Sequence, residues 1–276
     1  MRFLKGHGTG NDFVVLPDPD GALTLTADVV AALCDRRFGI GGDGVLRVVR
    51  SAAIGWARAS GTSAVTQDPE WFMDYRNADG SLAEMCGNGA RVFARFLVDH
   101  DYVLGPEFEF GTRAGVTRAV VRPDAVSVSM RRPRIHGRGE AQLGPLTVSG
   151  DAVDVGNPHL VCRVPDVSVV DLREPPGYDH ALFPNGVNVE VMQGDASGGR
   201  MRVYERGSGE TLSCGTGACA VGAVLLSGGT GTVPVEVPGG TVTVTVEADR
   251  CWLAGPAVLV ADGTWLVDEV LALRLL

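Results

Sequence analysis

The sequence predicts an α+β fold of two pseudo-symmetric halves, each a strongly curved, mostly antiparallel sheet around a central helix. Three observations support this class. Short β-branched or alternating segments dominate the chain. One cysteine-containing turn occurs twice, and the segment after its second copy is apolar on every face, which is typical of a helix buried on all sides. A composition of 45% hydrophobic residues over 276 positions suffices for a packed core.

The duplicated turn is the strongest of these signals. Met85-Cys86-Gly87-Asn88-Gly89-Ala90 and Ser213-Cys214-Gly215-Thr216-Gly217-Ala218 share one pattern, and their cysteines are 214 − 86 = 128 positions apart. An apolar run follows each turn, which predicts helices over Ala90–Val98 and Ala218–Leu226. Because unpaired N–H groups and the helix dipole favour negative charge at a helix start, we expect both thiols to ionise more easily there.

Weaker echoes extend the duplication along the chain. Gly10-Asn11 matches Gly156-Asn157 at an offset of 146, and Gly44-Val45 matches Gly186-Val187 at 142. Matched segments that keep their order while the offset shrinks are typical of two copies with loops of different length. We therefore predict a first half over residues 1–130 and a second half that begins at 131. The basic stretch Arg131–Gly139 is predicted to connect them, and residues 51–68 to form a surface loop.

The remaining elements follow from local patterns. Thr26 predicts the cap of a further helix that runs through Cys34 and ends near Gly39. A hairpin is predicted around Pro238-Gly239-Gly240, between Val233–Val237 and Thr241–Val246. Other predicted strands are Phe108–Phe110, Val116–Val121, Ala125–Met130, Val153–Val155, Val187–Met192 and Met201–Tyr204.

Composition excludes several function classes. A net charge of −9 disfavours binding to nucleic acid or to an anionic membrane. The amino terminus lacks a signal peptide and no apolar run reaches the roughly 18 residues of a membrane span, so a cytoplasmic location is expected. His7, His100, His136 and His180 have no partner at metal-ligand spacing, which argues against a metal. Gly39, Gly41 and Gly44 satisfy the dinucleotide pattern G-x-G-x-x-G but follow a helix end rather than a strand, so that function is rejected.

Two matched helix starts permit a specific chemistry. The backbone amides of Gly87, Asn88, Gly215 and Thr216 could together hold a small carboxylate. One cysteine would then lie on each face of the carbon that carries it. A thiolate that removes a proton and a thiol that returns one to the opposite face would invert the configuration, and this scheme needs no cofactor.

Seven ordered motifs resemble the diaminopimelate epimerase family. Besides the two cysteine turns they are Gly8-Thr9-Gly10-Asn11-Asp12-Phe13, Arg76-Asn77-Ala78-Asp79-Gly80-Ser81, Asp154-Val155-Gly156-Asn157-Pro158-His159, Gly186-Val187-Asn188-Val189 and Tyr204-Glu205-Arg206-Gly207. The resemblance implies a cofactor-independent isomerase that converts LL- to meso-diaminopimelate for lysine and peptidoglycan synthesis. It also implies Cys86 and Cys214 as the acid–base pair, a small-molecule substrate and a homodimer. In the fold that it implies, a carboxy-terminal segment 263–276 returns to the first half, so that the second half covers 131–262.

The resemblance further implies a set of supporting residues. Substrate contacts would come from Asn11, Asn77, Asn157, Asn188, Glu205 and Arg206, with the turn amides of Gly87, Asn88, Gly215 and Thr216, while His159 and Glu205 would tune the thiols. These types suit an amino-acid ligand, because amides both donate and accept and arginine grips a carboxylate bidentately. From the residues alone, three of the asparagines equally suit turns, His159 a core position, and Glu205 with Arg206 a surface ion pair.

One departure keeps the substrate open. Many family members carry Gln where this chain has Gly44, so a side-chain contact to substrate would be absent. A cysteine-pair racemase or epimerase of another amino acid is therefore the alternative. A non-catalytic thiol module, with a redox disulfide or bound zinc, is a third hypothesis.

Overall fold

The computed structural model describes residues 1–55 and 69–266. No helix among those residues is long and apolar enough to cross a membrane. In chain order, the elements are β1 (Arg2–Gly8), β2 (Asn11–Pro17), α1 (Ala27–Cys34), β3 (Gly44–Arg50), α2 (Ser51–Ile54), β4 (Trp71–Asn77), α3 (Gly87–Asp99), β5 (Glu107–Thr112), β6 (Gly115–Val121), β7 (Val126–Arg131), β8 (Arg134–Leu143), β9 (Leu146–Asp154), β10 (Pro158–Arg163), a 3-10 turn (Val167–Val169), β11 (Gly177–Tyr178), β12 (Asn188–Asp195), β13 (Gly198–Glu205), β14 (Gly209–Thr211), α4 (Gly215–Leu225), β15 (Gly231–Val237), β16 (Gly240–Val246), β17 (Arg250–Gly255) and β18 (Val258–Thr264).

The first of two compact units comprises Met1–Gly8, Asp12–Val126 and the described residues from Ala257 onward. Its strands β1 and β18 pair antiparallel, β2 and β3 pair parallel, and β3 and β4 pair antiparallel. Helix α3 packs against β1, β6 and β18. Its side chains Val92, Phe93 and Phe96 are fully buried, and Phe93 lies against Phe110 of β5 with ring centroids 4.9 Å apart. These contacts make α3 the central helix of this unit.

The second unit comprises Thr9–Asn11 and Ser127–Pro256. Strands β8, β9 and β10 pair antiparallel, β10 and β12 pair parallel, and β12 and β13 pair antiparallel. Every residue of α4 except Thr216 is buried, as the apolar composition of this segment predicts. Gly222 permits this close packing, because a Cβ there would lie 2.6 Å from Val244 of β16. The α+β prediction is confirmed by these two strand-rich units, each with one long helix.

Several predicted boundaries shift in the structure. Both central helices begin at the first glycine after the cysteine, Gly87 and Gly215, so the predicted starts are three residues late. Thr26 does cap α1, but the helix ends at Cys34 because Asp35 is already extended. The predicted connector Arg131–Gly139 is wrong, since most of it forms β8. Within the predicted surface loop 51–68, residues 51–54 form α2 and residues 56–68 lie outside the described residues, as do 267–276 of the predicted returning segment.

Strand registers define the duplication more closely than the glycine echoes do. Phe13 lies opposite Gly44 in the β2–β3 pair, and His159 lies opposite Asn188 in the β10–β12 pair. If Phe13 is matched with His159 at the predicted offset of 159 − 13 = 146, these registers match Gly44 with Asn188 at 188 − 44 = 144. The predicted offset of 142 is wrong, because a shared Gly-Val pair does not report backbone pairing.

The same comparison extends to the next strand. Asn77 lies opposite Gly44 in the β3–β4 pair, and Tyr204 lies opposite Val189 in the β12–β13 pair. One further residue of that register places Glu205 opposite Asn188. Asn77 and Glu205 are thus equivalent at 205 − 77 = 128, the offset of the two cysteines. In both units a cysteine therefore follows nine positions after this residue.

Three residues near the amino terminus belong to the second unit although their neighbours on both sides belong to the first. The Thr9 and Ser213 hydroxyls hydrogen-bond at 2.7 Å, and both residues are buried. Gly10 has φ +83°, and a Cβ on Gly239 would collide with the Thr9 carbonyl. The segment is therefore held closely by the loops that precede α4 and β16.

A buried ion cluster stabilises the first unit. Asp74 of β4 is 3% exposed, and its carboxylate pairs with Arg113 at 2.5 Å, Arg76 at 3.2 Å and Arg47 at 3.5 Å. Although burial opposes ionisation, hydrogen bonds from Arg113 and Arg76 hold the pKa of Asp74 below its usual value. Its stabilising contribution is therefore complete above the unfolded-state pKa and is lost as pH falls through the lower folded-state pKa.

We expect Asp74→Asn to lower the free energy of unfolding at pH 7 by about 3 kcal/mol, because it removes the buried carboxylate that pairs with the partly buried guanidinium groups of Arg113 and Arg76. Urea denaturation of both proteins measures the difference, which should shrink in acid as the wild-type carboxyl becomes protonated. Asp171→Asn is the control, since Asp171 pairs with Arg173 at the surface. Equal midpoints for Asp74→Asn and wild type at pH 7 would mean that the ion cluster does not stabilise the first unit.

Candidate active site

Both cysteines of the duplicated turn cap a helix with their own sulfur. Cys86 Sγ accepts the N–H of Gly89, and Cys214 Sγ accepts the N–H of Gly217, each at 3.4 Å. Cys214 is 6% exposed and Cys86 is half-buried. The helix cap thus fixes each sulfur beside the first backbone amides of its helix.

Those first amides suit an anion. The N–H groups that open a helix have no acceptor within the helix and carry its positive dipole end. In α3 they belong to Gly87 and Asn88, and in α4 to Gly215 and Thr216. Each unit by itself therefore presents amide donors beside a thiol.

The surroundings of the two caps differ in polarity. A Cβ on Gly89 would lie 3.1 Å from Leu46 and 3.4 Å from Phe13, whereas a Cβ on Gly217 would lie 2.6 Å from Glu190 Oε1. At both positions another element packs directly against the first turn, so a larger residue would require Leu46 or Glu190 to move. The first cap therefore rests on apolar side chains and the second on a carboxyl group.

A chain of hydrogen bonds leads from that carboxyl group to Cys214. Glu190 Oε1 lies 2.7 Å from His159 Nδ1, and His159 Nε2 lies 3.0 Å from Asn157 Oδ1. Asn157 Nδ2 donates to Thr216 Oγ1 at 3.2 Å, and Thr216 Oγ1 lies 3.5 Å from Cys214 Sγ. His159 and Glu190 are fully buried. Three residues predicted from the sequence are thereby joined to the cysteine, together with one that was not.

Burial reverses the expected ionisation of Cys214. Loss of solvent, followed by the carboxylates of Glu205 and Glu190, raises the pKa of this thiol well above its ordinary value. Hydrogen bonds from Thr216 and from the Gly217 amide act in the opposite direction but are outweighed. The prediction that a helix start makes this thiol ionise more easily is therefore wrong for Cys214, because desolvation exceeds the effect of the cap.

Glu205 lies at the end of β13, where the Thr211 hydroxyl donates to its Oε1. Next to it, the Arg206 amide donates to Asn188 Oδ1 at 3.0 Å, while Asn188 Nδ2 donates to the Pro158 carbonyl at 3.1 Å. The side-chain amide of Asn188 therefore ties the start of β10 to the turn after β13. The Arg206 guanidinium is exposed and donates to the Asn185 carbonyl at 2.7 Å.

In the first unit, Asn77 ends β4 and donates to Ser81 Oγ at 3.0 Å. Gly44 lies opposite Asn77, and a Cβ there would approach the Arg76 carbonyl to 2.5 Å and the Tyr75 ring to 2.8 Å. The structure therefore leaves no room for a side chain at position 44. Asn11, half-buried at the start of β2, belongs to the second unit.

Sequence comparison agrees with this arrangement. The family model described as diaminopimelate epimerase matches residues 3–135 and 151–260. The chain belongs to the diaminopimelate epimerase family. Diaminopimelate epimerase of Thermobifida fusca is 55% identical over 95% of this chain and 97% of that protein. The diaminopimelate epimerase of Mycolicibacterium smegmatis is 50% identical over 95% of this chain and 96% of that protein.

Solved structures support the fold of this diaminopimelate epimerase family member. A probable proline racemase from Agrobacterium radiobacter K84 aligns over 98% of this chain and 95% of that chain, with TM-score 0.68 and 14% identity. A phenazine biosynthesis protein of the PhzF family from Enterococcus faecalis aligns over 96% and 99%, with TM-score 0.65 and 15% identity. At such identities the likeness shows a shared fold, and it confirms the predicted fold class.

Sequence reasoning missed Glu190. It stands two residues after Asn188 in Val187-Asn188-Val189-Glu190-Val191, and alternate residues of a strand share one face. The same alternation that marked Asn188 as an unusual polar residue in a strand therefore marks Glu190 as well. The pattern does not reveal that Glu190 pairs with His159, because His159 lies 31 residues earlier in the chain.

We expect Gly44→Ala to destabilise the protein by about 2 kcal/mol, the usual cost of forcing an extra methyl group into a filled space. The colliding atom is a backbone carbonyl, which cannot rotate away. Differential scanning calorimetry should show a lower melting temperature than wild type. Gly137→Ala is the control, because a Cβ there meets nothing within 4 Å. An unchanged melting temperature for Gly44→Ala would show that a side chain fits.

Proposed function

We propose that this protein is an isomerase that epimerises one α-carbon of LL-diaminopimelate to give meso-diaminopimelate. The observation that carries the proposal is the matched pair of cysteine caps, one at the start of each central helix, in a chain of the diaminopimelate epimerase family. The scheme needs no cofactor, because two side chains carry both proton transfers.

The proposed mechanism uses the two sulfurs in different roles. Burial keeps Cys214 protonated at rest, so we assign it as the acid that delivers a proton to the carbanion-like α-carbon. Cys86 is then the base that removes the original proton from the opposite face. Once the carbon is inverted, Cys214 is a thiolate and Cys86 a thiol, and proton exchange of both groups with solvent restores the starting state for the next substrate molecule.

The α-proton of an amino acid is very weakly acidic, so the transition state needs charge stabilisation. We propose that the amides of Gly87, Asn88, Gly215 and Thr216 bind the reacting carboxylate, since helix-start N–H groups favour negative charge that grows there. Burial around Cys214 strengthens these interactions because water competes less.

The remaining residues are proposed to hold the substrate. Asn11, Asn77, Asn157 and Asn188 can donate to carboxylates and accept from ammonium groups, Glu205 can accept from an ammonium, and Arg206 can bind the distal carboxylate. His159 and Glu205 are proposed to tune the thiols. The exposed Arg206 guanidinium is suited to its role, because a ligand can replace its contact with the Asn185 carbonyl.

The biological setting is part of the same proposal. A cytoplasmic homodimer that supplies a precursor of lysine and peptidoglycan is consistent with the relatives named diaminopimelate epimerase. A net charge of −9 accords with a small-molecule substrate rather than nucleic acid.

A second candidate is a racemase or epimerase of another amino acid. The filled space at Gly44 favours it, because no side chain at that position can contact the far end of a substrate. Turnover of LL-diaminopimelate beside a panel of single-centre amino acids separates the two candidates. Preference for any panel member over LL-diaminopimelate would support the second.

Incubation of LL-diaminopimelate in deuterated water should give meso-diaminopimelate with one deuteron at the inverted α-carbon, because the proton returned to the carbon comes from an exchangeable thiol. Chiral chromatography with mass spectrometry measures both configuration and label. Inversion without label would exclude a solvent-exchanging thiol as the acid.

Cys86→Ala and Cys214→Ala should each lower kcat by at least about a thousandfold, within the range by which a positioned acid or base accelerates a reaction. Cys219→Ala is the matched control, because Cys219 is a buried cysteine of the same helix α4 but lies beyond its first turn. It should retain most of the wild-type kcat. Full activity in either cap variant would remove the two-base mechanism.

A further inference from the structure

The hydrogen-bond chain from Glu190 to Cys214 can have two polarities. In the first, His159 Nε2–H donates to Asn157, Asn157 Nδ2–H donates to Thr216, and the Thr216 hydroxyl donates to Cys214 Sγ. In the second, every donor is reversed, and the sulfur would have to donate to Thr216. Asn157 has Nδ2 on Thr216 and Oδ1 on His159, which corresponds to the first polarity.

Buried charge explains why the first polarity is preferred. With a proton on His159 Nε2, the contact between Nδ1 and Glu190 Oε1 contains a second proton, so the pair is neutral as a whole. In the second polarity His159 holds one proton, on Nδ1, and Glu190 remains a lone carboxylate. Both residues are 0% exposed, and among residues 1–55 and 69–266 no group hydrogen-bonds Glu190 Oε2. An unpaired buried carboxylate is costly, so the neutral pair is favoured.

We propose that Glu190 is a positioning residue for the epimerisation: it holds His159 with its proton on Nε2 and so directs the Thr216 hydroxyl hydrogen at Cys214. The inference rests on the proposed function, since it assigns a task in that reaction. When Cys214 gives its proton to the substrate carbon, its sulfur becomes a thiolate. A hydroxyl hydrogen that already points at the sulfur stabilises this charge without reorientation.

The other unit supports the assignment by contrast. Its strand registers place Phe13 where the second unit has His159, and Leu46 where it has Glu190. No hydrogen-bond chain of this kind can be built from phenylalanine and leucine. Glu190 therefore acts on one of the two thiols only, in keeping with the different roles proposed for them.

A double-mutant cycle tests whether Glu190 acts through Thr216. Glu190→Leu and Thr216→Val should each lower kcat about tenfold, the size of one hydrogen bond to a charged group, with little change in KM. The double variant should be no slower than the slower single variant, because both substitutions break the same chain. Multiplication of the two effects would overturn the proposal.

The second readout needs no substrate. The rate of alkylation of Cys214 by iodoacetamide, followed on the peptide that contains it, should reach half its maximum at higher pH in Glu190→Leu than in wild type. Removal of the Glu190 charge acts in the opposite direction, but in the neutral His159–Glu190 pair that charge is balanced, so loss of the hydroxyl donor to the thiolate outweighs it. A shift to lower pH would mean that Glu190 acts through its negative charge, and would overturn the proposal. The other ionisable groups near Glu190, namely Glu205, Cys162 and His159, stay unaltered in this variant.

Glu190→Gln keeps the shape of the side chain and a donor for His159 Nδ1, so it should recover most of the turnover lost in Glu190→Leu. It also keeps the proposal testable if the leucine variant fails to fold. Turnover as slow as in Glu190→Leu would overturn it.

Val191→Ala is the control for packing, because Val191 is a buried neighbour in β12 on the opposite face from Glu190. It should lower the melting temperature but leave the alkylation profile unchanged.

Nitrogen NMR of ¹⁵N-histidine-labelled protein, with His159 assigned by its absence in His159→Gln, should show a protonated Nε2 in wild type and in Glu190→Gln, and a mixture of tautomers in Glu190→Leu. An unprotonated Nε2 of His159 in wild type would overturn the proposal. If wild type fails to turn over LL-diaminopimelate while the alkylation and NMR results are as expected, the proposed function fails and the positioning by Glu190 stands.

Discussion

The rest of the structure depends on one hydrogen bond that is made twice, from the third amide of a helix to the sulfur of the residue that caps it. Helix caps are usually oxygen-bearing side chains such as Ser, Thr, Asp or Asn. A cysteine cap places a reactive sulfur beside the first amides of the helix, which have no acceptor within the helix. Glycine at the third helical position suits this bond, because Leu46 packs against the first turn in one unit and Glu190 in the other, and a larger residue would displace them. The chemistry and the packing of each central helix are therefore set by the same turn.

The two units share the same arrangement of strands and helix but differ in the side chains at equivalent positions. Both place a parallel strand pair, an antiparallel partner and then a cysteine turn in the same order. Phe13, Gly44 and Leu46 occupy positions that His159, Asn188 and Glu190 occupy in the second unit. The first turn of the central helix therefore packs against apolar side chains in the first unit and against a buried polar hydrogen-bond chain in the second. This difference between the units underlies the different roles proposed for the two thiols.

Much of this could be predicted from the sequence, and the failures have a shared physical origin. The helix starts, the buried α4 and the hairpin of β15 and β16 follow from local patterns, since each depends on residues a few positions apart. The pKa of Cys214 could not be predicted in that way, because burial depends on the whole unit. Glu190 was missed because its partner is remote in the chain. The offset of Gly44 was wrong for a related reason, since only the strand register relates Gly44 to Asn188.

The short segment Thr9–Asn11 has a consequence for how the chain is made. Because residues 9–11 belong to the second unit and residues from 257 onward belong to the first, no single cut divides the chain into its two units. During synthesis from the amino terminus, the unit that starts first is finished last, since β1 must wait for β18 to emerge before it gains its antiparallel neighbour. The two units are similar, but they cannot be completed one after the other in sequence order as the chain is synthesised.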